Sequence, residues 1–83
     1  MNIEIIREIL PFANTEEAIV FGQSMNEEIK EEMEGEMKLH TKNARLATKN
    51  KHWDAASLES FMSQLCRESV EAYEGKLKLR GQK

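Results

Sequence analysis

A chain of 83 residues with 40% hydrophobic and 33% charged content suffices for one domain with a thin core, because a domain this small buries only about 60–65% of the surface its unfolded chain exposes. That apolar fraction excludes a disordered tail, and a net charge of −3 argues against generic nucleic-acid binding. The one cysteine, Cys66, cannot close an internal disulfide and suits a reducing, cytoplasmic setting. No apolar run approaches the ~18 residues of a membrane span, and Met1-Asn2-Ile3-Glu4-Ile5-Ile6 has no basic region ahead of an apolar one, which argues against secretion and membrane insertion.

Ile3, Ile5, Ile6, Ile9 and Leu10 form a broad apolar face that Pro11 ends, so a short helix is expected over 2–10. Asn14-Thr15-Glu16-Glu17 has the spacing of a capping box, in which the Asn14 side chain accepts from the Glu17 amide while Glu17 reaches back. From there Ala18, Phe21, Met25, Ile29, Met33 and Met37 recur at three- and four-residue steps and are extended by His40, Ala44 and Ala47, which predicts a long helix over 15–50. Gly35 lies inside it at a cost of ~1 kcal/mol relative to alanine, so a bend or break is allowed there. Asn50-Lys51-His52 ends the pattern. A third helix is expected over 55–79, capped by Asp54, stapled by Trp53 and Leu58 and terminated by Gly81. Its apolar stripe runs through Leu58, Phe61, Met62, Leu65, Cys66, Val70, Tyr73 and Leu77.

The expected fold class is therefore all-α: one helical domain in which a short N-terminal helix precedes an antiparallel hairpin of two long helices. Leu46-Ala47 and Trp53-Asp54-Ala55-Ala56, around the turn, resemble the turn of tetratricopeptide hairpins, with Phe61 one residue off that register. Two long helices with wide apolar stripes leave area to cover, so Phe21, Met25, Ile29, Met33, Met37, Phe61, Leu65 and Tyr73 are the expected interface, with a second protomer completing a bundle as a dimer or tetramer. The methionines supply adaptable packing for such a surface or for a protein partner.

The long helix reverses its charge. Residues 27–36 carry Glu27, Glu28, Glu31, Glu32, Glu34 and Glu36 against Lys30, while 38–51 carry five basic residues and no acid. Residues 1–37 thus sum to −8 and residues 38–83 to +5. The simplest account is compensating solvated faces worth under ~1 kcal/mol per pair, with Lys76, Lys78 and Arg80 brought beside Glu27 and Glu28, and Glu59 beside Arg45. The sharper account is that acidic and basic ends meet between copies. Lys38, Lys42, Arg45 and Lys49 line one helical face that could track a phosphate backbone, although no aromatic or base-reading side chain interleaves there.

Glu28 and Glu31 on one long helix and Glu68 and Glu71 on the other are similar to the EExxE and ExxD pair of all-alpha nucleotide pyrophosphohydrolases, which have Asp where this chain has Glu71. That resemblance implies these four carboxylates as Mg²⁺ ligands, with Lys30 or Lys38 toward phosphate. His40, His52 and Cys66 do not have the four-ligand spacing of a zinc site. His40 falls on the apolar stripe, where a hydrogen-bonded core or interface histidine is expected. Cys66 reads as a small buried hydrophobe, and no base is at hand to make it a nucleophile. The expected function is accordingly a small protein–protein interaction or regulatory module that self-associates, with no cofactor and no catalytic residue; a Mg²⁺-dependent carboxylate site and a nucleic-acid-binding basic face are the alternatives.

Overall fold

The computed structural model describes residues 12–81, and the helix expected over 2–10 lies outside them. The described residues form three α-helices and no strand: α1 (Thr15–Ser24), α2 (Glu27–Lys49) and α3 (Trp53–Tyr73).

Each helix end follows from a local backbone demand. At α1 the Asn14 side chain accepts from the Glu17 amide at 2.9 Å, and the Glu17 carboxylate accepts from the Ala13 amide at 2.8 Å, one residue beyond the amide a capping box would use. The single helix expected over 15–50 is in fact two, and the break falls at Met25 and Asn26 rather than at Gly35. Met25 turns extended at ψ 157°. Asn26 then starts α2 by accepting from the Ile29 amide at 2.9 Å, with Glu27 and Glu28 in the first turn where the helix dipole favours acids. The Ser24 hydroxyl donates to the Phe21 carbonyl at 3.0 Å, which satisfies an acceptor that the end of α1 leaves free. Gly35 stays within an unbroken α2.

The end of α2 is a Schellman turn: the Lys51 amide donates to Thr48 O at 3.0 Å and the His52 amide to Ala47 O at 2.8 Å. Lys51 occupies the left-handed position usually given to glycine, at φ 61°. Asp54 does not cap α3, which begins one residue before it. His52 is the cap residue, it makes no side-chain capping bond, and Asp54 sits in the first turn. Trp53, now the first helical residue and 61% exposed, is in the wrong place to staple Leu58. A second Schellman turn stops α3 at Tyr73 rather than near 79, with Gly75 at φ 80°, its amide donating to Ala72 O and the Lys76 amide to Glu71 O.

Both α1 and α2 pack against α3. The core joins Phe12, Ala18, Met25 and Met33 to Leu65, Cys66 and Val70, with Phe21, Ile29, Met37 and Tyr73 packed around it. Burial of each large side chain in this set contributes about 1.5–3 kcal/mol. Between α1 and α3 the approach is close enough to demand glycine: a Cβ on Gly22 would lie 2.1 Å from the Ser69 carbonyl oxygen. Contacts between α2 and α3 pair Glu27 with Tyr73, His40 with Glu59, and Thr41 with Ser63.

Candidate functional site

The α2–α3 seam contains a buried polar tie. His40 is fully buried, and its Nδ1 lies 2.5 Å from a Glu59 carboxylate oxygen that is itself buried. On the other side of the ring, Nε2 lies 3.4 Å from Glu36 Oε2, yet neither atom makes a hydrogen bond. A neutral imidazole has one N–H and serves one carboxylate, whereas the imidazolium faces both with a donor. Because α2 supplies His40 and Glu36 while α3 supplies Glu59, the tie joins the two helices. Glu59, expected beside Arg45, is committed to His40 instead. Sequence periodicity placed His40 in the stripe but could not name Glu59, since a glutamate at a buried helical position resembles any surface glutamate until a partner is assigned.

Cys66 lies next to this tie, fully buried. Burial, and secondarily the negative charge of Glu36, push its thiol up from 9.0 to about 12. It is a neutral packing group at ordinary pH and a poor nucleophile. At the other end of the seam the Tyr73 hydroxyl donates to Glu27 Oε2 at 2.7 Å, and that bond raises the phenol above its ordinary range. Lys30 also reaches Glu27 and Glu34, at 3.8 and 3.4 Å. Lys76, expected near Glu27 and Glu28, pairs with Glu74 instead.

Toward the turn, α2 and α3 open into a shallow groove of about 620 Å³, lined among others by Lys38, Lys42, Arg45, Ser60, Gln64 and Arg67. Its floor is a hydroxyl pair, Thr41 and Ser63 at 2.6 Å, and both hydroxyls also lie on the Met37 carbonyl oxygen. Three of the four residues in the expected basic stripe therefore face one groove, and α3 adds Arg67, which single-helix periodicity could not assign to it. None of Lys38, Lys42, Arg45, Lys49 and Arg67 forms an ion pair among the described residues.

The expected apolar interface is largely committed within the chain. Met25, Met33 and Leu65 are buried, and Phe21, Ile29, Met37 and Tyr73 pack against them. Phe61 is the exception at 48% exposed. The large apolar side chains facing solvent are Val20, Leu39, Leu46, Trp53 and Phe61. Of the four carboxylates that the pyrophosphohydrolase resemblance implied, Glu28 and Glu31 are exposed while Glu68 and Glu71 are half-buried. Among the described residues no three His, Cys, Asp or Glu side chains stand together as a metal site, and no helix is long and apolar enough to cross a membrane. The chain matches no family model, no curated protein and no solved structure.

Proposed function

We propose that this chain is a small protein–protein interaction module, an antiparallel hairpin of α2 and α3 braced by α1, that self-associates through opposed charges. The observation that carries this reading is the segregation of unpaired charge on α2. Glu28, Glu31 and Glu32 are exposed and make no ion pair among the described residues, and nor do Lys38, Lys42, Arg45 and Lys49 further along the same helix. Charge left unpaired within a chain that pairs Lys30, Glu34, His40 and Glu59 is available for docking. The pairing of early α2 residues with late α3 residues supports the hairpin, and the internal use of the methionine seam shifts docking to the charged surface. Molar mass by size-exclusion light scattering tests it at ionic strengths of about 0.01 M and about 1 M, where the screening length falls from roughly 30 Å to roughly 3 Å. A defined oligomer at low salt that dissociates at high salt is expected; a monomer at both overturns self-association.

A further inference from the structure

We infer that two copies pair through the exposed charged stripe of α2, antiparallel, about a two-fold axis close to Gly35. This rests on the self-association proposed above and says which surface performs it. Glu28, Glu31, Gly35, Lys38, Lys42, Arg45 and Lys49 follow one another at alternating steps of three and four, which places them on one stripe of the helix. All are exposed; Glu28, Glu31 and Gly35 lie away from the face that carries the buried Met33, His40 and Ala44, and Lys38, Lys42 and Arg45 border the groove between α2 and α3. Leu39 and Leu46 border it, 40% and 49% exposed.

The order of charge along the stripe selects the geometry. Parallel pairing in register sets acid on acid and base on base. Antiparallel pairing in which residues whose numbers sum to 73 face one another sets Glu28 against the second copy's Arg45 and Glu31 against its Lys42. The two-fold repeats each contact, so the dimer closes on itself and does not grow. Near the axis stands Gly35. Among the described residues nothing lies within 4 Å of where its Cβ would be, so none of them calls for glycine at a helix-interior site where it costs ~1 kcal/mol. At a helix crossing the missing side chain lets the partner backbone come close. Leu39 near the axis, and Leu46 about 14 Å along the helix from it, then lose water along with the aliphatic stems of the lysines.

Light scattering of charge-reversal variants tests the pairing, with circular dichroism confirming that each stays folded. Glu28→Lys with Glu31→Lys, and separately Lys42→Glu with Arg45→Glu, should each be monomeric. An equimolar mixture of the two should dimerise, and the variant carrying all four changes should dimerise alone. If both double variants keep the wild-type oligomer, the α2 pairing is overturned while self-association stands; a wild type that is monomeric at every salt overturns both. Folded four-fold variants that fail to associate also overturn the pairing. Monomeric wild type that binds a mixed-sequence DNA duplex in a salt-sensitive way would assign the basic half to phosphate instead. Orientation is read by a short bis-maleimide cross-linker. It should join Gly35→Cys copies and fail with Glu28→Cys copies, whose counterparts would lie about 25 Å apart along the helix at 1.5 Å per residue. The opposite preference excludes the antiparallel arrangement.

Discussion

Replacing His40 with leucine would leave the Glu59 carboxylate buried without its partner, and the size of the penalty can be worked from the site. Glu59 is 7% exposed and its Oε2 bonds to His40 Nδ1, so water cannot take over the lost bond without opening the α2–α3 seam. Leaving a buried polar group without its hydrogen-bond partner costs about 1–3 kcal/mol, and more if that group is charged. The whole stability of an 83-residue chain is about 4–12 kcal/mol at 0.05–0.15 kcal/mol per residue. The single variant should therefore lose a sizeable share of that stability. Glu36 loses no hydrogen bond in this variant, because its Oε2 makes none with His40. Changing both partners, His40→Leu together with Glu59→Met, removes the orphaned carboxyl group and fills the space with apolar volume. That double variant should be within ~1 kcal/mol of wild type or above it. Urea unfolding followed by far-UV circular dichroism reads the difference as a midpoint shift at a slope of about 1 kcal/mol per molar. A single variant within ~1 kcal/mol of wild type, or a double variant as unstable as the single, would refute the reading of His40 and Glu59 as a coupled buried tie.

Gly22→Ala should cost upward of about 1–3 kcal/mol in the same unfolding assay, because its methyl would meet the Ser69 backbone at 2.1 Å and force α1 off α3. Asn26→Ala should cost about 1 kcal/mol by stripping the cap of α2, whose Asn26–Ile29 bond is 2.9 Å long; a neutral result would mean that the break is held by packing instead. Lys51→Gly should raise stability by about 1 kcal/mol, since the residue is held at φ 61° in the turn between α2 and α3, and a loss of stability would show that the Lys51 side chain supplies something the turn needs. Alkali should destabilise the fold: the Cys66 thiol is raised from 9.0 to about 12, so folding favours its neutral form, and that contribution is intact below pH 9 and disappears as pH climbs toward 12. Thermal midpoints across that window should fall less steeply for Cys66→Ala than for wild type. An identical slope would remove Cys66 as a source of the dependence, leaving Tyr73, raised from 10.0 by its bond to Glu27, to act in the same direction.

Local signals settled much of this structure. The three- and four-residue apolar period dictates helices, and the Asn14 cap is written in the residues beside it. The break at Met25 and Asn26 is also local, a cap residue followed by two glutamates, yet an uninterrupted apolar period across it masks the signal, because periodicity continues whether or not the backbone does. The ends of α2 and α3 turn on which residue adopts positive φ. Lys51 does so against its own preference, a choice made by the helices on either side. What only the tertiary structure decided is which polar groups meet. Glu59 with His40 and Gly22 against the Ser69 carbonyl each join positions far apart in the chain. Such a partner is selected by desolvation and close packing, and neither force leaves a mark on the order of residues along a single helix.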